Sequence, residues 1–302
     1  MNQNKLQTAR SYAGMIAPSQ LSMLLSTKQP IFFDLPHLGA IRVAGDKAQE
    51  FLQGQITCDI RKITSQSMRQ GALCNVKGRI LTLLDIIQYQ DIYWLILPKD
   101  LIPSTMHSLE KVALLSRVAL SNVPEAELAA IWEPPSAHFH NNTPYTVDSM
   151  PNYSKYTTRL GHSMFFRIQQ KRSLETLIQQ FYPEIIKLDE IYWHYLQLSH
   201  GFVSIYPETR GLFLPHALNL PSLGFIDFQK GCYKGQEIIA RMHYRATNLK
   251  HNIQINRFTL RPPPVLGQAL ANPDNTLEIL GEIIDYCPIN LDNTQQYLIA
   301  YC

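Results

Sequence analysis

The densest chemical signal in the chain is the run Lys230-Gly231-Cys232-Tyr233-Lys234-Gly235-Gln236-Glu237. It places a cysteine between two lysines, with glycines that permit tight turns and close approach of backbone to a ligand. Phe225 to Phe228 reads as a strand before it. Gln236 to Tyr244 reads as a helix after it, with Ile238, Ile239 and Met242 as the apolar positions. A helix N-terminus favours anions, and neighbouring lysines favour a thiolate. The run therefore predicts thiolate character for Cys232, with Lys230 as its activator. A buried structural cysteine in a glycine turn is the plainer alternative.

From Lys230 to His251 there are five Lys or Arg residues and one acid, Glu237, interleaved with Tyr233 and Tyr244. The stretch 241–251 is thus a candidate surface for a polyanion, or simply a solvated basic face. Trp193 lies on a predicted helix from Asp189 to Ser199. The core stripe of that helix is Ile191, Tyr192, Tyr195, Leu196 and Ser199, so Trp193 falls to one side of it. An aromatic ring there can stack on a flat ligand or pack against a neighbouring subdomain. His138 and His140 stand in a proline-rich loop with no cysteine or acid close by. No Ser-His-Asp or HExxH spacing is present.

These groups need a body to hold them. With 302 residues, 45% of them apolar, the chain can bury a full core. Its net charge of +3 is too small to mark a nucleic-acid binder by itself. No apolar run reaches membrane-span length. The five cysteines, Cys58, Cys74, Cys232, Cys287 and Cys302, are odd in number and lack CxxC spacing. That argues against a disulfide framework or a zinc knuckle, and no metal is expected. The compartment expected is the cytoplasm. The acid-poor N-terminus also fits a transit peptide, with the mitochondrial matrix as the alternative.

Leu38 to Val43 reads as a strand. Asp46 with Gln49 reads as a capping box for a helix that Gly54 stops. Gly71 to Tyr89 reads as two strands turning at Lys77-Gly78, and Ile92 to Leu97 as a third. Ser104 to Leu115 is a predicted helix and residues 133–153 a long loop. Met164 to Ile168 is a predicted strand, and Ser173 caps a helix with Leu174, Leu177, Ile178 and Phe181 on one face. After Asn248 short β runs follow at Ile253–Leu260, Leu277–Asp285 and Tyr297–Tyr301. The fold class predicted is α+β. Residues 1–34 form an extension and the start of the body, 35–250 the body, and 251–302 a small β module.

KGCYKGQE resembles the defining motif of the YgfZ family, folate-binding relatives of the glycine-cleavage T-protein. Phe51–Ile60 (FLQGQITCDI), Gly71–Ile80 (GALCNVKGRI) and Phe213–Arg241 agree with that family in the same order. The resemblance implies a cloverleaf of mixed-sheet subdomains around a central folate cavity, ending in a small β-barrel. It implies tetrahydrofolate or a one-carbon derivative as cofactor. It also implies a part in the assembly or repair of iron–sulfur enzymes, with clients such as a tRNA methylthiotransferase. Lys230 and Cys232 fall on the motif, and Trp193 on a folate-contacting tryptophan. Leu38 stands where a second aromatic contact would be. Asn219, Gln236, Glu237 and Arg241 are the further folate contacts expected.

In the T-protein an acid after the glycine-rich strand turn is essential to aminomethyl transfer. The matching stretch here, Gly78-Arg79-Ile80-Leu81-Thr82-Leu83, holds none, and Asp85 comes later in a different register. A residue that must hold or steer a proton cannot be replaced by Thr or Leu. The expectation is therefore folate binding without glycine-cleavage activity. A folate-dependent one-carbon transferase is one alternative. A scaffold that holds RNA or a partner through 241–251 is another, although direct nucleic-acid binding is not expected of the leading reading.

Overall fold

The structure is a computed structural model that describes residues 16–133, 143–168, 173–245, 253–291 and 294–302. The start of the possible transit segment, His138, His140 and most of the basic stretch after Arg245 lie outside the described residues. In chain order the first elements are α1 (Pro18–Ser26), β1 (Ile31–Asp34), β2 (Leu38–Ala44), α2 (Ala48–Gln53), β3 (Arg69–Cys74), β4 (Ile80–Tyr89) and β5 (Ile92–Pro98). Next are α3 (Ile102–Leu115), β6 (Ala119–Val123), β7 (Ala126–Trp132), β8 (Val147–Met150), β9 (Tyr153–Thr157) and β10 (Ser163–Ile168). They are followed by α4 (Leu174–Gln179), β11 (Ile186–Leu188), α5 (Glu190–Ser199) and α6 (Gln236–Arg245). The chain closes with β12 (Gln254–Phe258), β13 (Ala269–Asn272), β14 (Asn275–Leu291) and β15 (Thr294–Tyr301).

An antiparallel sheet of order β3-β4-β5-β2-β6 carries the strands predicted between Leu38 and Leu97. In β5 the run from Tyr93 to Leu97 is wholly buried, as suits an apolar strand covered on both faces. The β4–β5 turn puts Gln90 and Asp91 at φ of 53° and 60°, the left-handed pair that matches a hairpin's twist. A second sheet has the order β11-β1-β7-β10-β9-β8, with β1 and β11 parallel. Phe166 on one of its faces meets Trp94 of the first sheet at 5.0 Å between ring centres. On the opposite face Phe32, Ile131 and Phe165 form a smaller core with Leu174 and Ile178 of α4. Ser173 caps α4 as predicted, accepting the Thr176 N–H at 3.1 Å.

Several local expectations give way to longer-range partners. Asp46 does not cap α2, whose N-cap is Lys47 without a side-chain bond. The region expected as a loop contains β8. Residues 225–227 form no strand. The Phe225 carbonyl accepts from the Thr57 hydroxyl, and the Asp227 N–H donates to the Thr57 carbonyl. The C-terminal module is a sheet of order β12-β15-β14-β13, open at both edge strands among the described residues rather than a closed barrel. Tyr206, from the body, packs with Leu266, Leu270, Tyr297 and Ile299 there and covers the apolar surface that closure would otherwise cover.

The three sheets meet around α5. Residues Ile191 to Leu196 are all buried, so the helix is covered on every side and not along the single predicted stripe. Trp193 lies 5.5 Å from Phe33 of the second sheet. Tyr195 accepts from Arg257 of β12 at 3.1 Å. His194 Nε2 lies 3.2 Å from Oδ1 of Asp285, a fully buried residue of β14. Asp285 also accepts from the Tyr206 hydroxyl at 2.7 Å, the Ser204 N–H at 2.7 Å and the Tyr286 N–H at 2.8 Å. Asp285→Ala takes the shared acceptor away from the Tyr206 hydroxyl and the Ser204 and Tyr286 N–H groups, while His194 Nε2 keeps the Tyr286 carbonyl at 3.2 Å. It should lower stability by about 3 kcal/mol or more, read as a fall in the urea midpoint.

Candidate ligand cavity and thiol loop

Where α5, β4, β5 and residues 202–205 meet, the interior leaves a cavity of about 150 Å³. Its apolar wall includes Leu38, Leu83, Ile96, Met164, Trp193 and Phe225. Polar groups reach it from Gln70, Asp85, Thr158, His194, Gln197 and Ser204. Trp193 is 6% exposed and also touches His162, with ring centres 5.0 Å apart. This tryptophan packs in the core and also lines the cavity. Leu38 joins the same wall, so the aromatic carbocycles of the lining come from Trp193, Phe202 and Phe225 and not from position 38.

The reading of β4 needs correction at one point. Thr82, Leu83, Leu84 and Asp85 all line the cavity, and of these Leu83 and Asp85 share a face of the strand. The stretch matched to the T-protein holds no acid, yet the cavity does contain a carboxyl group. Burial raises the Asp85 pKa, against hydrogen bonds from Gln70 Nε2 to Oδ1 at 2.8 Å and from the Tyr156 hydroxyl to Oδ2 at 3.1 Å. Gln70 is held in turn by the Arg159 N–H, which donates to its Oε1 at 3.2 Å. On another wall Gln197 Nε2 lies 2.9 Å from Nδ1 of the buried His162. Burial, with His200 nearby, pushes the His162 pKa down to about 4. Sequence reasoning missed Gln70 and His162 altogether, while helical spacing sets Gln197 on the same side of the helix as Trp193. The period-two pattern of β4 was the signal that could have placed Asp85.

The KGCYKGQE run divides into buried supports, at Lys230 and Tyr233, and exposed residues, at Gly231, Cys232 and Glu237. Lys230 is buried, and its ammonium donates to the carbonyls of Gln53 at 2.8 Å, Ile56 at 2.6 Å and Cys58 at 2.8 Å. Burial lowers its pKa to about 8, which leaves it charged at neutral pH. All three ammonium donors are thereby used, so none remains to activate Cys232. Gly235 has φ of +83°, and a Cβ there would come within 2.5 Å of the Asn75 carbonyl oxygen and 3.0 Å of the Gly78 Cα. The glycine lets the loop dock on the β3–β4 turn. Tyr233 is buried, and its N–H donates to Gln236 Oε1 at 3.3 Å. Cys232 itself is exposed, while Cys58, Cys74 and Cys287 are buried and Cys302 is intermediate. Helix α6 begins only at Gln236, so Cys232 precedes the first turn, the range over which a helix end acts.

The remaining predicted folate contacts lie away from the cavity lining. Asn219 is exposed with φ of 55°. Glu237 and Arg241 pair with each other at 3.2 Å on the exposed side of α6. Farther along α6, His243 stacks on Phe228 at 3.7 Å between ring centres, and Tyr244 is 71% exposed. Among the described residues no group of three or more His, Cys, Asp or Glu could hold a metal ion, and no helix is long and apolar enough to cross a membrane.

Two predictions follow from this division of labour. Lys230→Met should cost about 3 kcal/mol or more by stranding three carbonyls, whereas Cys232→Ser should leave the urea midpoint in place. His162 holds its proton less tightly folded than unfolded, since its pKa falls from 6.5 to about 4. Its contribution is complete above pH 6.5 and is lost as pH falls towards 4. The drop should approach about 3 kcal/mol and should vanish in His162→Phe when unfolding is followed against pH.

No family model matches the chain. The "tRNA-modifying protein YgfZ" of Hamiltonella defensa is 30% identical over 240 residues, 77% of this chain and 71% of that protein. The protein of the same name from Colwellia psychrerythraea is 27% identical over 236 residues, 76% of this chain and 72% of its own. Among solved structures, glycine cleavage system aminomethyltransferase T from Bartonella henselae superposes with a TM-score of 0.70. That match covers 95% of this chain and 82% of the other at 14% identity, which establishes a shared fold. With the motif, the α+β architecture and the relatives in agreement, the chain belongs to the YgfZ family.

Proposed function

We propose that the cavity binds a folate, tetrahydrofolate or a one-carbon derivative, and that Cys232 supplies a thiol for the upkeep of iron–sulfur enzymes that modify tRNA. The observation that carries the folate half is Trp193 on the wall of an otherwise apolar cavity with a few fixed polar groups, the usual character of a small-molecule site. The relatives' name, tRNA-modifying protein, supports the setting, and the T-protein fold supports the ligand class. The cavity is smaller than the usual range of roughly 300–1,000 Å³, so it suits the ring system, with the tail leaving through the opening. Titration with tetrahydrofolate should quench tryptophan fluorescence saturably, and Trp193→Phe should remove most of the change. Absence of saturable binding would end this reading.

For the thiol, the supporting feature is a braced loop that leaves only Cys232 and Gly231 exposed. In a strain lacking the native chain, Cys232→Ala should fail to restore iron–sulfur enzyme activity, while charge reversal at Arg241 and Arg245 should restore it. The opposite ranking would favour a scaffold acting through the basic stretch.

One-carbon transfer is the second reading, and Asp85 favours it by placing a proton-holding group at the cavity. Turnover of a tetrahydrofolate one-carbon adduct by the purified protein, lost in Asp85→Asn, would be its mark.

A further inference from the structure

A second cavity opens on the far side of the second sheet, and none of its described lining residues lines the first. Strand alternation prepares it. On β9 the buried Tyr156 reaches Asp85 of the first sheet with its hydroxyl, so Lys155, and Tyr153 two residues before it, face the other way. Lys155 stands directly across from Phe165 of β10. Helix α4 has six residues and packs on that face over Phe32, Ile131 and Phe165. A helix that short leaves Tyr153 and Lys155 only partly buried. The turn at 181–185 then leads back to β11, where the Ile186 N–H donates to the Pro30 carbonyl at 3.2 Å. Between that turn, residues 28–30 and β9–β10 lies a cavity of about 660 Å³. That is inside the usual range for a small-molecule site, roughly 300–1,000 Å³.

The lining has three kinds of group. Tyr153, Phe165, Phe181 and Tyr182 supply aromatic rings. Tyr153 and Phe165 pack at 6.0 Å between ring centres, and the Tyr182 hydroxyl donates to Glu133 Oε1 at 3.2 Å. Phe181 differs from them: it lines the cavity yet is 60% exposed, so folding gains little from it. Lys28 and Lys155 supply positive charge. Neither forms an ion pair with a described residue, although Asp148 stands across from Lys155 on β8. Lys187, over Phe32 on the same side of the sheet, is by contrast paired with Glu175 at 2.5 Å. Glu184 adds one carboxylate to the lining.

A nucleotide is the ligand class that uses all three. Every base has a flat π-face, and base–aromatic stacking tolerates any base. A phosphate suits lysines that lack a carboxylate partner. Exocyclic amines and ribose hydroxyls donate to a carboxylate, which gives Glu184 a role. A wholly apolar ligand would leave the lysines unused, and a bare anion would leave the rings unused. We infer that this cavity is a second ligand site, for a mononucleotide, with the base against Phe181 and the neighbouring rings and the phosphate at Lys28 and Lys155. It stands apart from the cavity read above as the folate site.

The test is calorimetric titration of the full chain with AMP, GMP, adenosine and inorganic phosphate. AMP or GMP should bind saturably, the matching nucleoside roughly tenfold more weakly, and phosphate too weakly to measure. Phe181→Ala should cost nucleotide and nucleoside alike roughly tenfold. Lys28→Gln with Lys155→Gln should bring the nucleotide down to the level of the nucleoside and leave the nucleoside unchanged, which a general loosening of the fold would not do. All three side chains are at least partly exposed, so the urea midpoint should stay in place. Saturating tetrahydrofolate should leave nucleotide affinity unchanged. Four results would each overturn the second site and leave the folate reading standing: no saturable binding of either nucleotide, equal affinity for nucleotide and nucleoside, indifference to Phe181→Ala, or displacement by tetrahydrofolate. Failure of tetrahydrofolate itself to bind would remove the folate reading alone.

Discussion

One helix that must be hidden from water on every side organises this molecule. Helix α5 carries isoleucine, leucine, tyrosine and tryptophan around its whole circumference. Each such side chain is worth about 1.5–3 kcal/mol when fully buried. No single sheet can cover a cylinder, so Phe33 of the second sheet and Arg257 and Asp285 of the C-terminal sheet reach it from different directions. The open C-terminal sheet belongs to this arrangement. Its apolar face is filled by Tyr206 from the body, and the hydroxyl of the same residue satisfies Asp285. The cavity is the space left where the β4 face and α5 do not interdigitate.

Several charged groups in the interior are held by close partners. Arg167, 2% exposed, donates through Nε to Glu127 at 2.6 Å. Lys230 lies among three carbonyls and Asp285 among four donors. Buried charges are tolerated on these terms. Burial supplies the contrast: thiols at Cys58 and Cys74 are pushed up to about 12 by the same desolvation. They are inert structural groups, and Cys232 is the exposed thiol of the five.

Much of the fold was legible because its signals are local. The apolar run of β5, the Ser173 cap and the helix ending near Gly201 depend on residues within a few positions of one another. The failures share one cause, partners distant in sequence. Lys230 is beside Cys232 in the chain, but its ammonium is held by residues 53–58. Phe225 to Phe228 has the composition of a strand, but its backbone bonds go to Leu220 and Thr57 and to no strand. Trp193 appeared off the core stripe because one stripe was assumed for a helix that has none. Asp85 was set aside because its position was counted along the chain, whereas a strand repeats its facing every second residue.

The loop around Cys232 also separates two kinds of constraint on a sequence. Lys230, Tyr233 and Gly235 are each fixed by something that folding alone would enforce: a carbonyl cage, a buried ring and a backbone contact too close for a Cβ. Cys232 is fixed by none of these. In a library of variants selected only for a folded, protease-resistant chain, its position would accept nearly any side chain, while its neighbours would return to type. A cysteine that reappears there under selection for work in the cell would therefore be held by chemistry, since packing places no claim on it.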